Sequence, residues 1–451
     1  MTILIVHYHL RAGGVTRVIQ TQANILRNLG HQVIIASSGP IDNWDFPTIV
    51  LPALDYQKSG SVPVAPLFGA EADLWIIHNP TLGLNAGYPD LIKTAAESGI
   101  PLLLQIHDFV EDGRPANYQL VKDDRHLYPS APQIHYATIN RRDLGILKQA
   151  GLPPERCHHL PNAVDPPVIR PTRPEKNLVF YPIRGIRRKN LGELCLLAAH
   201  APKDTTFAVA LRSSSEEPAF IHDDWVRFAS AQKLLISFDV VGRHPERFPE
   251  WLERSSHLVT TSISEGFGLT FLDPAFLNKP LIGRDLPEIT SDFTPYGTLY
   301  RNIPIPVSTL PGLRDLYGVG LEATMSAYGK NLTTGEIEQA WQELTKSGSV
   351  DFGNLPESLQ RHVIETTPLP WLADWLAKAL AQPVEPIDTS PWSVATYREA
   401  MIRVISSIGT RGPVTWIPPE RILSHFLTPR NFHFLRAPIP ADYSSSSTRS
   451  R

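Results

Sequence analysis

The sequence predicts an α/β protein made of two doubly wound domains. Three observations support this: the length of the chain, the alternation of short apolar runs with helical segments, and a Pro-rich stretch near the middle. A chain of 451 residues is long enough for two domains of about 200 residues each. Strands that each lead into a polar turn and a helix favour parallel sheets. The Pro-rich stretch at 166–174 predicts a semi-rigid connector between the domains.

Composition and charge indicate an ordinary globular protein. Hydrophobic residues make up 42% of the chain, charged residues make up 19%, and the net charge is −3. This balance gives no reason to expect nucleic acid or an anionic membrane as the main partner. Two cysteines, Cys157 and Cys195, are too few for a disulfide framework, so we expect a reducing, cytoplasmic location. No apolar run reaches the ~18–20 residues of a membrane span, and the N-terminal run is expected to be a buried strand.

The first domain is expected to open with a βαβ unit and to continue with further short strands. Its predicted elements are strands at 3–6, 33–36, 75–77, 102–106 and 135–138 and an amphipathic helix at 15–29. Ligands of doubly wound domains bind beyond the carboxyl ends of the strands. The polar turns at those ends are therefore the candidate binding sites.

Three turns of the first domain carry candidate ligand contacts. Gly13 and Gly14 let the backbone approach a ligand at a helix start, although such pairs also occur in tight turns without a ligand. His107 follows the predicted strand at 102–106. A lone histidine is more often a packing or surface residue, but the carboxyl edge of a parallel sheet favours ligand contact. The third turn, PNAVD at 161–165, leads into the Pro-rich stretch.

The second domain begins a new series of strands and helices. Its predicted elements are strands at 178–181, 206–211 and 236–241 and helices at 191–199 and 249–255. The loop PIRGIRRKN carries Arg184, Arg187, Arg188 and Lys189 within six residues. Such a loop is either a solvated basic turn or a site for an anion such as a diphosphate, which Arg grips as a fork and Lys as a point charge.

The stretch from 258 to 289 is a predicted strand–turn–helix. A strand at 258–261 enters a Gly-punctuated turn, and an apolar helix follows it. The start of such a helix offers backbone N–H groups to an anion. Two acids, Glu265 and Asp273, bracket the turn. This arrangement suits a ligand that presents a polar group, an anion and a second polar group in a row.

The remainder of the chain is less regular. Residues 291–365 mix Pro and Gly turns with one clear helix at 334–345, and helices are predicted at 369–380 and 393–408. The Ser-rich end at 443–451 is expected to be disordered.

In this order and spacing, the motifs resemble those of the GT-B glycosyltransferases, in particular glycosyltransferase family 4 (glycosyl transferases group 1). The matching pieces are GG, IHD, PNAVD, RGIRRKN and FPEWLERSSHLVTTSISEGFGLTFLDPAF with LPEI beyond it, and 158–290 match best. The resemblance implies a GT-B architecture of two Rossmann-like domains facing across a cleft. It assigns 1–165 to the acceptor side, 166–390 to the nucleotide sugar, 391–410 to a helix crossing back to the first domain, and 411–451 to a tail.

The resemblance also implies roles for the donor-side residues. Arg184 and Lys189 match the paired cations that bind the donor diphosphate. Glu265 matches the first acid of an E-x7-E motif, which binds hydroxyls of the transferred sugar, and Asp273 falls at the second acid, which binds the ribose. Because Asp273 is shorter than the usual Glu and Pro274 follows it, we expect the helix to start late or to kink there.

Further contacts are implied for backbone groups and for the first domain. His107 would contact the sugar near the reacting carbon, and Gly13 and Gly14 would approach the phosphate and the acceptor. The backbone amides that would hold sugar and phosphate oxygens are those of Gly266, Phe267, Gly268, Leu269 and Thr270.

The predicted function is retaining transfer of a hexose from a UDP- or GDP-sugar to a hydroxyl acceptor, without metal or cofactor. An Asp-x-Asp metal signal is absent, and the acidic pairs at 123–124 and 223–224, the latter preceded by His222, are expected to face solvent. Two alternatives stay open: a GT-B phosphorylase or sugar-nucleotide epimerase, and a non-catalytic sugar-nucleotide-binding protein. Peripheral membrane contact is compatible with the sequence, although no basic amphipathic helix argues for it. Donor base, sugar, acceptor and oligomeric state are left open.

Overall fold

The structure, a computed structural model, describes residues 1–11, 13–40, 44–164, 169, 175–213 and 216–438. The chain divides into two compact units, unit 1 (Met1–Asp165 with Ser390–Thr428) and unit 2 (Pro166–Thr389 with Pro429–Arg451). Apart from Ile169, the Pro-rich stretch at 166–174 lies outside the described residues, as does the Ser-rich end at 443–451.

Unit 1 is built on a parallel sheet that is buried on both faces. Its strands are short and almost wholly apolar, as expected for a parallel sheet covered by helices. The strands of the sheet are β1 (Thr2–Val6), β2 (Gln32–Ser37), β3 (Thr48–Val50), β4 (Leu74–His78), β5 (Leu102–Ile106), β7 (Ile134–Thr138) and β8 (Cys157–His159), and the short strand β6 (Pro129–Ser130) lies outside it. The helices are α1 (Gly14–Asn28), α2 (Ala65–Phe68), α3 (Tyr88–Ser98), α4 (Pro115–Val121) and α5 (Arg141–Gln149). Among the described residues the sheet order is β3-β2-β1-β4-β5-β7-β8.

Unit 2 repeats the plan with a second parallel sheet. Its strands are β9 (Leu178–Gly185), β10 (Thr206–Arg212), β11 (Ile236–Ser237), β12 (His257–Thr260), β13 (Leu281–Arg284) and β14 (Thr298–Tyr300). The helices between them are α6 (Leu191–His200), α7 (Glu216–Ala231), α8 (Phe248–Arg254), α9 (Leu269–Phe276) and α10 (Pro287–Thr290). Over the described residues the order is β11-β10-β9-β12-β13-β14, the Rossmann order, with its reversal between β9 and β12.

The α/β prediction of two Rossmann-like domains is confirmed, with two local corrections in unit 2. The strand predicted at 236–241 ends at Ser237, because Asp239 adopts a positive φ angle of 53° that interrupts the extended backbone. The predicted late start of the helix before Pro274 is wrong. Helix α9 begins at Leu269 and accommodates Pro274 in its interior.

Residues 291–365 hold more helix than the sequence indicated. The elements after β14 are β15 (Pro304–Pro306), α11 (Leu313–Ala327), α12 (Thr334–Thr345), β16 (Ser349–Asp351), α13 (Glu357–Thr366) and α14 (Pro370–Ala381). The prediction of a single clear helix here is therefore wrong, since α11 and α13 accompany α12. Strands β15 and β16 pair antiparallel and close this segment on itself.

The chain then returns to unit 1. The returning elements are α15 (Val394–Ser407), β17 (Thr415–Trp416) and α16 (Pro419–Phe426). Tyr397, Met401 and Val404 on one face of α15 join the buried cluster of Ile3 and Ile19 from β1 and α1. The stretch treated as a tail after residue 410 thus contributes to both units, because residues from Pro429 onward belong to unit 2.

Candidate active site

Two loops of unit 2 meet at the carboxyl edge of its sheet, beside the strand-order reversal. One is the basic loop after β9, and the other is the turn between β12 and α9. The two strands are neighbours, so their ends deliver both loops to one place. The backbone N–H of Ile263 donates to the carbonyl of Arg188 at 3.0 Å, and the Arg188 guanidinium donates to the carbonyl of Ser264 at 2.9 Å.

The centre of this meeting point is a buried ion pair between Lys189 and Glu265. Each residue is only 8% exposed. Arg188 lies 3.6 Å from the second carboxylate oxygen of Glu265, and the Thr270 hydroxyl lies 3.5 Å from the first. Burial acts to raise the pKa of Glu265, but the charges of Lys189 and Arg188 outweigh it and the pKa is lowered. Glu265 is therefore an ionised acceptor at neutral pH.

Two buried hydroxyl groups, those of Thr261 and Tyr181, hold the backbone of the basic loop in place. The Thr261 hydroxyl donates to the carbonyl of Lys189 at 2.9 Å. The Tyr181 hydroxyl accepts from the N–H of Thr261 at 3.2 Å and lies 3.2 Å from the same Lys189 carbonyl. These contacts lock the loop to the end of β12, so Lys189 is held in place by more than its ion pair.

The cations of the basic loop differ in their surroundings, since some pair with carboxylates and one is exposed. Arg187 turns towards Glu357 on α13, with 2.6 Å between Nε and a carboxylate oxygen, and also donates to the carbonyl of Ala437 at 2.5 Å. Arg184, at the end of β9, is exposed. Because Arg187 and Lys189 are held by carboxylates, a purely solvated basic turn does not describe this loop.

The turn before α9 is shaped by Gly268. Its φ of +89° is a left-handed value, and a Cβ there would lie 2.7 Å from the Ile289 side chain, so only glycine fits. No side chain caps the start of α9, and its first turn carries no acidic residue. A helix start of this kind can present backbone N–H groups to an anion.

The remaining residues of the turn and helix differ in exposure. The Phe267 side chain is buried and packs edge-on against Phe293, whereas Leu269 is 40% exposed. Gly266 and Asp273 are half-buried. Asp273 is the fifth residue of α9, about 6 Å along the helix axis from Leu269.

The carboxyl edge of the unit 1 sheet carries His107, which directly follows β5. Its backbone N–H donates to the Asn79 side chain at 3.0 Å, and its Nε2 lies 2.9 Å from Nδ1 of His78. His107 is 5% exposed. Burial lowers its pKa to about 4, so the imidazole is neutral at pH 7.

Gly13 and Gly14 lie at the start of α1 on the same edge. Gly13 has an extended backbone with φ of 176°, which any residue can adopt. A Cβ on Gly13 would approach no described atom closer than 3.8 Å, and a Cβ on Gly14 would meet none within 4 Å. Packing of the described residues therefore does not require glycine here, and the space beside the turn is open.

Comparisons with known proteins place this arrangement in a recognised architecture. No protein-family model matches the chain. A curated relative, the mannosylglucosyl-3-phosphoglycerate synthase of Petrotoga mobilis, is 28% identical over 336 residues, which cover 64% of this chain and 66% of that protein. The match thus spans slightly less than two thirds of the relative's length.

Two solved structures are similar over most of the chain. HepE from Anabaena, in complex with UDP, is 14% identical and covers 90% of this chain and 100% of its own, with a TM-score of 0.54. A glycosyltransferase from Rickettsia africae is 14% identical and covers 90% of this chain and 98% of its own, with a TM-score of 0.52. The chain has a GT-B fold.

Within this GT-B chain, the sequence-predicted site residues form two groups. Lys189, Glu265 and Thr270 are in contact in unit 2, with Arg184, Asp273 and the turn at 266–269 on adjoining elements. His107, Gly13 and Gly14 lie at the carboxyl edge of the unit 1 sheet, at the ends of β5 and β1. Their individual roles stay predictions.

Some residues of the site were not identified from the sequence. Arg188 was noted only as one cation of four, yet it contacts Glu265. His78 ends the strand beside that of His107 and could have been found by the same reasoning, since both follow apolar runs at one sheet edge. Tyr181 lies inside the largely apolar strand β9 and Thr261 directly follows β12 among other hydroxyl residues, so neither carries a sequence signal.

Of the acidic pairs expected to face solvent, Asp123 is exposed and Asp124 is half-buried, whereas the second pair and His222 are partly or fully buried. His222 is only 2% exposed, and Asp224 pairs with Arg361 and Arg227. Across the part of the chain that the structure describes, no group of three or more His, Cys, Asp or Glu is arranged to hold a metal ion. No helix within those ranges is long and apolar enough to cross a membrane.

Proposed function

We propose that this protein is a glycosyltransferase that moves a hexose from a nucleotide sugar to a hydroxyl group of an acceptor. One observation carries the proposal: the basic loop and the Gly-rich turn meet at the reversal of the unit 2 sheet, with Lys189 and Glu265 in contact. This is the point of a Rossmann-like sheet where nucleotides bind. It offers a cation, a carboxylate and the start of a helix within one small region.

Each group of the site suits one part of a nucleotide sugar. Cleavage of the anomeric C–O bond builds negative charge on the diphosphate, which Arg184, Lys189 and the N–H groups of the turn would stabilise. The ionised Glu265 would accept hydrogen bonds from hydroxyls of the sugar. Asp273, further along α9, would accept from the ribose. Lys189 already holds Glu265, so an incoming donor would share this cation between its diphosphate and the carboxylate.

The groups at the carboxyl edge of the unit 1 sheet suit the uncharged part of the ligand, which is the sugar. His107 is neutral at physiological pH, so it can accept or donate a hydrogen bond without adding charge beside the reacting sugar. Gly13 and Gly14 leave space for close approach of a ligand to the start of α1. We propose that these groups bind the sugar and the acceptor side.

The finer features of the proposal are retention of anomeric configuration and independence from metal. Retention rests on the sequence resemblance to glycosyltransferase family 4, in which the leaving phosphate takes the acceptor's proton on the same face. Cations at the diphosphate can take the place of a divalent ion. Proton NMR of the first product would read the anomeric configuration, and activity should persist in EDTA. An inverted product, or loss of activity in EDTA with recovery on adding Mg²⁺, would contradict these features.

The donor is proposed to be a UDP- or GDP-hexose. HepE was crystallised with UDP and with UDP-glucose, which favours testing uridine donors first. The name of the Petrotoga mobilis relative describes a mannosylglucosyl glycoside of 3-phosphoglycerate. A small hydroxylated acid is therefore a reasonable first acceptor, and the acceptor panel should pair it with neutral sugars.

The proposal is tested by a thermal-shift and hydrolysis screen against UDP-, GDP- and ADP-sugars. Binding to the folded protein stabilises it by about 2.7 kcal/mol when the ligand is at 100 times its Kd. A donor should raise the melting temperature of the wild type and leave that of Lys189→Met almost unchanged. The matched control Lys346→Met alters a surface lysine and should respond as the wild type. No shift with any donor would remove the proposal, and cleavage of a disaccharide that needs inorganic phosphate would favour a phosphorylase.

A further inference from the structure

A line of buried polar side chains runs through unit 1 from helix α15 to His107. It begins at Tyr397 and passes through Gln22 on α1 and His78 at the end of β4. Gln22 and His78 are 0% exposed, and Tyr397 is 4% exposed. These side chains lie inside an otherwise apolar core, where polar groups need partners. A line this well buried fixes both the position and the protonation of its last member.

The hydrogen bonds of this line follow one direction. The Gln22 amide donates through Nε2 to the Tyr397 hydroxyl at 2.9 Å and to Oε1 of Gln105 at 2.8 Å. Its Oε1 faces Nε2 of His78 at 2.9 Å, and Nδ1 of His78 faces Nε2 of His107 at 2.9 Å. The rings of His78 and His107 lie nearly parallel, at 22° to each other, with 5.2 Å between their centroids.

This order determines where each imidazole carries its proton. The carbonyl oxygen of Gln22 can only accept, so His78 must donate through Nε2. A neutral His78 then has a lone pair on Nδ1, which accepts from Nε2–H of His107. A neutral His107 is left with its lone pair on Nδ1. The amide of Gln22 thus sets the tautomer of a histidine two hydrogen bonds away.

The surroundings keep the line uncharged. Burial lowers the pKa of His78 well below its usual value, with further lowering from His107 and His7. Burial also lowers the pKa of His7, to about 3, and raises that of Tyr397. Burial likewise lowers the pKa of His9, whose ring centroid lies 6.0 Å from that of His7. When these histidines are neutral, each imidazole has one nitrogen that donates a hydrogen bond and one nitrogen that accepts one.

We propose that Gln22, His78 and Tyr397 are positioning residues that hold His107 as the Nε2–H tautomer and keep its Nδ1 lone pair to accept a hydrogen bond from a substrate hydroxyl. The tautomer concerns this chain alone, whereas the identity of the hydroxyl rests on the proposed function. Helix α15 thereby contributes to the site through Tyr397, although it lies far along the chain. This positioning role distinguishes Gln22, His78 and Tyr397 from core residues that only pack against their neighbours.

The arrangement has one competitor. Gln105 Nε2 is buried without a hydrogen-bond partner among the described residues. Rotating the amides of Gln22 and Gln105 by half a turn would reverse the donors and leave His107 as the Nδ1–H tautomer. The two arrangements give opposite hydrogen-bonding character to the same ring edge, so an experiment can separate them.

Nitrogen-15 NMR of histidine-labelled wild-type protein reads the tautomer without turnover. The His107 resonances are assigned by their loss in His107→Gln. We expect a pyrrole-type shift for Nε2 and a pyridine-type shift for Nδ1, unchanged between pH 6 and 8. The reverse pattern, or averaging of the two nitrogens, would overturn the proposal whether or not the protein transfers sugar.

Activity of Gln22 variants provides the second test. Gln22→Leu removes the amide, and we expect kcat to fall by about 10- to 100-fold, the range seen when a partner that orients a histidine is lost. Gln133→Leu is the matched control, since Gln133 is a fully buried glutamine of the same unit outside the line. Tyr397→Phe should cause a smaller fall, and it keeps the test available if Gln22→Leu fails to fold.

A conservative variant separates positioning from packing. In Gln22→Glu the carboxylate still accepts from His78 Nε2, so activity should return towards the wild type. Its negative charge should raise the pKa of the paired imidazoles, moving the acid limb of the pH profile to higher pH. A folded Gln22→Leu with unchanged kcat, or a Gln22→Glu profile identical to the wild type, would overturn the proposal. A wild type inactive with every donor would refute the proposed function but not the tautomer.

Discussion

The two sheets share their strand order around the reversal, but their carboxyl edges are stabilised in opposite ways. In unit 2 the charged groups at this edge form ion pairs: Lys189 meets Glu265, and Arg187 meets Glu357. In unit 1 the buried groups beside His107 are neutral imidazoles and amides. Burial disfavours charge unless a partner compensates for it. Unit 2 supplies such partners and keeps its charges, whereas unit 1 leaves its histidines uncharged.

This difference matches the two halves of the proposed reaction. A diphosphate is anionic and needs fixed cations, and cations that already face carboxylates are held in place before the ligand arrives. Sugar hydroxyls are neutral and need donors and acceptors in defined directions. The same fold therefore offers a charged edge and a neutral edge, and substitutions that blur the contrast should be costly.

The largest expected effect is on stability, at the buried ions behind the unit 2 edge. Arg284 donates to Glu193 at 2.6 Å and to Asp351 at 2.7 Å, and is only 4% exposed. Arg284→Met leaves Glu193 buried without its cation and should lower the free energy of unfolding by about 3–5 kcal/mol. Urea unfolding measures the loss, with Arg314→Met as the exposed control.

The double variant Glu193→Leu with Arg284→Met sharpens this prediction. Removing both charges should restore part of the lost stability, because no isolated ion then remains buried. If the double variant is less stable than Arg284→Met, the loss in Arg284→Met does not come from an uncompensated charge on Glu193.

The next effect is on activity. Lys189→Met should lower kcat by about 10²–10³-fold, the usual cost of removing one group that stabilises developing negative charge. Arg184→Ala should also lower kcat. Because Arg184 is exposed, this variant should keep the wild-type fold. Steady-state kinetics and circular dichroism measure the two properties separately. Wild-type kcat in either folded variant would refute the assigned role.

A smaller effect concerns how the stability of the protein depends on pH through Glu111 in unit 1. Burial raises the pKa of Glu111 to about 8, so the folded protein keeps a proton that the unfolded chain releases above the usual value of 4.5. Stability attributable to this group is therefore full below pH 4.5 and lost as the pH rises towards 8. Relative to Glu111→Gln, the wild type should lose up to ~1.4 kcal/mol per pH unit in this window. Equal pH slopes for the two proteins would contradict a protonated Glu111.

The smallest effects compare two asparagine helix caps. Asn140 caps α5 of unit 1 with an extended backbone, and Asn140→Ala should cost about 1 kcal/mol. Asn190 caps α6 of unit 2 in the left-handed region at φ of 49° and also accepts from Gln360 at 3.0 Å. Asn190→Ala should cost about 1–2 kcal/mol more, because alanine is strained there. Equal losses in thermal unfolding would show that the conformation of the basic loop carries no strain.

Much of the fold and part of the site could be predicted from local patterns. The predicted strand at 102–106 and helix at 334–345 agree with β5 and α12 residue for residue. These two elements could be predicted because neighbouring residues contain the information. Lys189 and Glu265 were assigned to one site by the resemblance to glycosyltransferase family 4, and the structure brings their side chains into contact.

The rest depends on contacts that sequence order does not reveal. Arg187 and Lys189 are two residues apart and chemically alike, yet one faces Glu357, which is 170 positions away. Nothing local separates their roles. Pro274 argued against a regular helix, but α9 is short and tolerates the missing donor. His107 was identified, whereas its link to Tyr397 required α15 to be placed against α1.

The path of the chain has a consequence for synthesis. Neither unit is made of one continuous stretch: residues 390–428 complete unit 1, and residues after 428 return to unit 2. On the ribosome the N-terminal sheet can form early, but Tyr397 emerges only after almost all of unit 2 has been translated. The carbonyl of Ala437, which holds Arg187, emerges later still. Both nascent units therefore stay incomplete until residues beyond 389 have been translated.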